Sequence, residues 1–314
     1  MTTPAVPRKS KALRNGSKVA VFAPASPAEP LDVTAGLAEL RRLGYEFTPV
    51  QLPGAEGFFA ASAASRLQGF LKAAQDPEIA GLLALRGGYG ANYLLDGDLS
   101  SQLRKPKCII GFSDITSLQV YLWQKCGWVT FHGPMLAAGL NRGAGDAYGY
   151  DEDSFLQAVG NTNSGWKIAL NGKSLVEGVA EGRLLGGCLT LLQTTLGTPW
   201  EIDTTGAILL LEDRGIRPYQ LDRALMHLKQ AGKFCGIKGI VLGEFPDSEL
   251  PVQNSPSVFD VCERILRPLN VPMVFGAAVG HTKRPMLTIP LGVKARLVSS
   301  NDGWLEILEP AVVQ

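Results

Sequence analysis

Ser113 is the first group in this chain placed to act as a nucleophile. In KPKCIIGFSDITSLQVYLW a short apolar run ends at Gly111, and after Ser113 a helical pattern begins with Ile115, Leu118 and Leu122 on one face. A hydroxyl at such a strand-to-helix turn faces outward. The free N–H groups and positive dipole end of the helix suit a developing oxyanion. The GxSxG of a nucleophile elbow is absent because Ile115 takes its last position. Serine also commonly caps helices, so this turn alone fits either role. A second apolar run opens into LRGGYGANYLL, where Gly87, Gly88 and Gly90 let backbone approach a ligand closely. The loop lacks GxGxxG, so it does not read as a dinucleotide site, and a plain tight turn is its alternative.

The acid and the base are less sharply drawn. In AILLLEDRGIRPYQLDRALMHL a wholly apolar strand delivers Glu212 and Asp213 at its carboxyl end. Open α/β sheets gather functional groups at that end. Either carboxylate has Arg214, Arg217 or Arg223 as an alternative, purely ionic partner. Of the three histidines, His227 reads as a helix-surface residue, His132 follows a strand in VTFHGPM, and His281 opens a loop in VFGAAVGHTKRP. A serine nucleophile needs a neutral imidazole within reach and an acid to orient it. Spacing leaves His132 and His281 equally open. No HExxH or other His, Cys and Asp grouping is present, so neither a metal nor another cofactor is expected.

These groups have to be carried by recognisable elements. Residues 18–23, 46–52, 81–85, 108–110 and 128–131 read as short strands. Helical patterns at 31–43, 62–74 and 115–125 lie among them. This alternation predicts a largely parallel sheet with helices on both faces, forming an α/β domain over residues 1–160. The Gly, Asn and Ser of GNTNSGWKIALNGKS mark a linker or crossover within 146–173. Residues 161–314 then read as a β-rich, barrel-like domain with helices at 187–196, 219–230 and 258–266. It closes on an antiparallel pair, VKARLVS and GWLEILE.

Composition narrows the class of function. The 314 residues are 46% hydrophobic and 19% charged, as in an ordinary globular enzyme. A net charge of +1, with no basic stripe, argues against nucleic acid or an anionic membrane as partner. The five cysteines form no CxxC pair and read as buried thiols of a reducing compartment. No signal peptide or membrane-length apolar run is visible, and a cytoplasmic protein is expected.

Taken in order, APAS, RGGYG, GFSDIT, FHGPM, LLGG with LGT, LEDxxxxPYQLDRAL and GHTKRPMLTIPLG resemble the LD-carboxypeptidase family, which also contains the microcin-immunity hydrolases. The resemblance runs from about Lys18 to Leu297. It implies a Ser–Glu–His triad of Ser113, Glu212 and His281, with oxyanion amides from Gly88 and Asp114. FHGPM then becomes a structural segment. The fold implied is a parallel α/β amino-terminal domain and a β-rich carboxyl-terminal one with the triad between them, commonly in a homodimer. The substrate implied is a muropeptide, a murein tetrapeptide that loses its terminal D-alanine. For its free carboxylate, Arg86, Arg183 and Lys283 are candidates. Cys188 stands where the family pattern leads one to expect Asn, and Ile216 where it often has an acidic residue; neither is expected to touch the triad. Two rival readings are a hydrolase of peptidyl or aminoacyl nucleotides, as in microcin immunity, and a catalytically silent α/β module that binds a phosphorylated ligand.

Overall fold

The computed structural model describes residues 6–48, 54–249 and 255–314. In chain order the strands are β1 (Lys18–Phe22), β2 (Glu46–Phe47), β3 (Gly81–Ala84), β4 (Cys108–Gly111), β5 (Thr130–His132), β6 (Trp166–Ala169), β7 (Lys173–Val176), β8 (Gly178–Cys188), β9 (Ala207–Glu212), β10 (Gly239–Gly243), β11 (Met273–Ala277), β12 (Ile289–Leu291), β13 (Lys294–Ser299) and β14 (Trp304–Ile307). The helices are α1 (Pro30–Arg42), α2 (Ala63–Gln75), α3 (Ile115–Cys126), α4 (Glu152–Gly160), α5 (Leu189–Thr194), α6 (Pro218–Gln230) and α7 (Val258–Leu266). The strand expected over 46–52 is β2 as far as Phe47; residues 49–53 lie outside the described ones.

The first sheet runs β12-β5-β4-β3-β1-β2. Its first five strands in sequence pair parallel, as the alternating pattern predicts. β3 and β4 are buried at every position, the mark of strands covered on both faces. The outer strand on one side, β12, is antiparallel and comes from late in the chain, with Ile289 opposite His132.

The second sheet runs β6-β14-β13-β8-β9-β10-β11-β7. A parallel core of β8 to β11 is flanked by antiparallel strands, including the expected β13–β14 pair. It curls so far that Ser174 of β7 meets Ser299 of β13, Oγ to Oγ at 2.8 Å. That curl is the barrel-like character expected of this region. Strand β9 is buried throughout, so its apolar run from Ala207 to Leu211 reflects neighbours on both edges and both faces.

Three expectations need correction. The segment read as a linker contains α4, whose cap Asp151 accepts from the Ser154 N–H at 2.7 Å, and the strand β6. Phe155, Ala158 and Val159 of α4 are part of the core. Helix α3 buries more than the expected face of Ile115, Leu118 and Leu122: every residue from Ile115 to Trp123 is buried. The cysteines are all free, but only Cys108, Cys188 and Cys262 are buried; Cys126 is half-buried and Cys235 exposed.

Candidate active site

Both sheets deliver their carboxyl-end loops to one place. Ser113 follows β4 and takes φ +61°, a left-handed conformation that costs a non-glycine residue about 1–2 kcal/mol. Such strain at a strand-to-helix turn belongs to functional positions more than to ordinary caps. Helix α3 supports the turn from behind: Gln119 Nε2 donates to the carbonyls of Gly111 and Phe131, at 2.9 Å each. Its Thr116 Oγ1 accepts from the Cys188 N–H at 3.1 Å, joining this helix to the second sheet.

The glycine loop lies directly against Ser113. A Cβ on Gly87 would sit 2.9 Å from Ser113 Cβ, 3.0 Å from its Oγ and 3.5 Å from the Asp114 nitrogen. Only glycine therefore fits beside that hydroxyl. The buried Asp114 carboxylate accepts from the Ala91 N–H at 2.7 Å and ties the two loops together. Burial pushes its carboxyl up to about 6, against the hydrogen bond from Ala91 and the charge of Arg66. The loop is also held by two residues that the sequence did not single out for a role. Ser26, of APAS, donates its N–H to the Gly87 carbonyl (3.3 Å) and accepts from the Tyr89 N–H (3.1 Å). Buried Arg66 donates to the carbonyls of Pro24 and Gly90.

The candidate acid and base come from the second sheet and the loop after it. Glu212, at the end of β9, is fully buried. Its Oε2 accepts from both the His281 backbone N–H (2.9 Å) and Nδ1 (2.8 Å). Burial opposes ionisation, yet the His281 charge and hydrogen bonds win and hold the Glu212 carboxyl below its ordinary range. Burial likewise opposes the His281 imidazolium, but the charge and hydrogen bond of Glu212 outweigh it and raise the histidine. The two shifts agree: the pair stabilises carboxylate beside imidazolium. With Nδ1 engaged, the other ring nitrogen is the one left for chemistry. The ring packs edge-on against Phe112, the residue before the nucleophile, at 5.0 Å between centroids.

The loop after His281 is pinned by Glu244, another residue the sequence did not mark. Its carboxylate accepts from Thr282 Oγ1 (2.6 Å), the Lys283 N–H (2.9 Å) and Arg284. The remaining candidates separate cleanly. Asp213 turns away, with Oδ2 accepting from the N–H and hydroxyl of Thr190 at the start of α5 and Oδ1 from its neighbour's N–H. His227 lies on α6 with its Nδ1 2.8 Å from Gln193. His132 is fully buried, and its Nε2 is 3.6 Å from Glu212 Oε1. Cys188 does reach this group, contrary to expectation: register sets it directly opposite Glu212. Burial, then the Glu212 and Asp213 charges, push its thiol well up, so it stays protonated. Ile216 is buried in the apolar cluster around α6 and α7.

A cleft of about 390 Å³ opens over His281, lined also by Phe112, Tyr148, Gly280 and Thr282, with Arg142 and Arg214 as its cations and Asp32 and Asp247 as its anions. Arg214 and Lys283 both pair with Asp247, at 2.9 and 3.4 Å, so Lys283 stands at the rim. Arg86 follows β3 beside the glycine loop and donates to the Pro27 carbonyl. Arg183 is not at the cleft. It pairs with Glu309 at 3.0 Å and, in register, sits level with Ala207 at the opposite end of β9 from Glu212. Arg142 carried no motif that could have drawn attention to it. A wider depression of about 550 Å³, lined by Leu13, Tyr45 and Asn161, contains none of these groups.

Residues 19–133 match the LD-carboxypeptidase N-terminal domain and residues 181–297 the LD-carboxypeptidase C-terminal domain. The chain is 37% identical over 294 residues to a Bacillus subtilis (strain 168) protein named "Probable murein peptide carboxypeptidase", covering 92% of this chain and 91% of that one. Among solved structures it is similar to a muramoyltetrapeptide carboxypeptidase from Oxalobacter formigenes, with a TM-score of 0.82, 29% identity and coverage of 93% and 99%. It also shares the fold of the microcin C7 self-immunity protein in its wild-type apo state, with a TM-score of 0.88, 24% identity and coverage of 98% and 100%.

Proposed function

The chain belongs to the LD-carboxypeptidase family, and on that premise we propose that it removes the terminal D-alanine of murein tetrapeptides by acyl transfer from Ser113 to water. It is a serine carboxypeptidase. The observation that carries the reading is the buried Glu212 carboxylate bonded to His281 Nδ1 at 2.8 Å, beside a strained serine turn. That bond fixes the imidazole tautomer whose other nitrogen is basic.

In the reaction His281 takes the Ser113 proton as the hydroxyl attacks the scissile carbonyl, and Glu212 steadies the imidazolium. The N–H groups of Gly88 and Asp114 receive the oxyanion, and the Asp114–Ala91 hydrogen bond ties their two loops together. His281 then returns the proton to the departing amine, and D-alanine leaves. Water attacks the acyl-enzyme by the same route and frees the tripeptide. Arg142 and Arg214 in the cleft, with Lys283 at its rim, are the groups for a free carboxylate; Arg86 borders the glycine loop, and Arg183 lies away from the cleft.

The division at residue 160 would place the nucleophile on one domain and the acid and base on the other. Five free cysteines suit a reducing cytoplasm, where such an enzyme would act on recycled muropeptides, as a homodimer by family resemblance. The test is mass spectrometry after incubation with a murein tetrapeptide and an aminoacyl nucleotide together. Loss of one alanine from the tetrapeptide is expected, and Ser113→Ala should lower that rate by about six orders of magnitude while folding normally. Consumption of the nucleotide alone would move the chain to the immunity activity, and a Ser113→Ala rate within tenfold of the parent would remove the nucleophile assignment.

A further inference from the structure

Glu212 uses only half of its carboxylate on His281. Its Oε1 is buried without a hydrogen-bond partner among the described residues, and so are both ring nitrogens of His132. The two face each other, His132 Nε2 lying 3.6 Å from Oε1 with both side chains wholly buried. A buried carboxylate oxygen with no donor is costly, and an unpaired buried imidazole adds to that cost. An approach of about half an ångström turns this pair of orphans into one hydrogen bond.

We infer that His132 is a positioning residue, which donates from Nε2–H to Glu212 Oε1 and thereby holds the carboxylate in the orientation that His281 requires. The inference rests on the Ser113–Glu212–His281 reading and adds a fourth group to it. His132 is well placed for the task. It ends β5 in register with Gly111, the last residue of the nucleophile's strand, and with Ile289 of β12. It therefore spans from the sheet that carries Ser113 to the acid carried by the other. Burial pushes its imidazole down to about 4, opposed only in part by the Glu212 charge, so it contributes a neutral dipole. The groups facing this constellation are Glu212, Asp213 and Arg214 from the β9 end and loop, Cys188 from β8, and the two histidines.

Removing the donor leaves the carboxylate less stabilised and the Glu212–His281 pair readier to take up a proton. The pair titrates as a unit, so the acidic limb of kcat/KM should move to higher pH. The test compares His132→Leu and His132→Gln, each alone and in a Glu212→Gln background. In the parent background His132→Leu should lower kcat by about tenfold to hundredfold, with KM within about twofold. It should also raise the acidic limb by about one pH unit. His132→Gln, which keeps an N–H donor, should recover most of both effects. In Glu212→Gln the leucine substitution should cost little more, because the group it acts through has gone. An unshifted acidic limb, or a loss equally large in both backgrounds, would overturn the inference while leaving the triad intact. A near-parental rate for Glu212→Gln itself would instead overturn the triad. Should His132→Leu fail to fold, nitrogen-15 NMR of the parent enzyme decides: an Nε2–H tautomer from pH 5 to 8 supports the role, and an Nδ1–H tautomer refutes it.

Discussion

At the scale of single residues the two adjacent carboxylates make the sharpest contrast. Glu212 holds the imidazole, whereas Asp213 caps the first turn of α5. Glu212→Gln should cost about four orders of magnitude in kcat, because an amide in place of the carboxylate favours the wrong imidazole tautomer. Asp213→Asn retains a carbonyl oxygen for the cap and should keep activity within about tenfold. Steady-state kinetics on both variants, with circular dichroism to verify folding, check the pair. The pH profile follows from the same bond. Only neutral His281 accepts the serine proton, and its titration is raised, so the rate should climb with pH through a midpoint above the ordinary value of about 6.5 and level off beyond it. A midpoint below that value would mean that Glu212 is not charged in the free enzyme. Ser113 and the two carboxylates were legible in the sequence as residue types at strand ends. Spacing alone did not choose between His132 and His281, because both follow strands and both rings face Glu212; only the ordered motifs, by resemblance, pointed to His281.

At the scale of elements, the loops matter more than the strands that launch them. Gly280 takes φ +59°, and its Cα lies against the Glu212 carboxylate so closely that a Cβ would overlap it, coming 2.5 Å from Oε2. Gly280→Ala should therefore displace either the carboxylate or His281 and lower kcat more than a hundredfold, with His281→Asn as the reference for complete loss. Gly276→Ala is the control. It meets the same left-handed backbone penalty at φ +84°, but nothing lies within 4 Å of the added methyl. It should lower the melting temperature by about 2–4 °C while sparing kcat. Equal loss of activity in both variants would mean that backbone strain, rather than contact with Glu212, sets the requirement. Most strands and helices were visible as apolar runs and 3.6-residue patterns, and α7 begins and ends where its sequence predicts. Helix α4 was hidden by its surroundings. Its cap and its Phe155, Ala158 and Val159 stripe carry the usual signals, but flanking Gly and Asn residues gave the stretch the composition of a linker. Ser26, Arg66 and Glu244 were illegible for another reason. Each acts by bonding backbone far away in sequence, and no local pattern encodes such a partner.

At the scale of the whole molecule, the proposed mechanism calls only on side chains, backbone amides and water. No group of three or more His, Cys, Asp or Glu residues suited to a metal occurs among the described residues. Activity should persist in full after dialysis against EDTA, and its loss, reversed by a divalent ion, would show a metal in the mechanism. No helix of the described residues is long and apolar enough to cross a membrane. The largest consequence at this scale comes from β12. That strand lies late in the chain yet completes the first sheet beside β5, so His132 gains its neighbour Ile289 only after β6 to β11 of the second sheet have been made. Contacts so distant in sequence form slowly, after local helices and hairpins. On a ribosome the serine, its glycine loop and β5 would emerge well before the acid, the base and the strand that seals them. The hydrolase would thus be born inert and acquire activity only once His281 and β12 have been made. Refolding from denaturant should reproduce this order, with far-ultraviolet ellipticity returning ahead of peptidase activity.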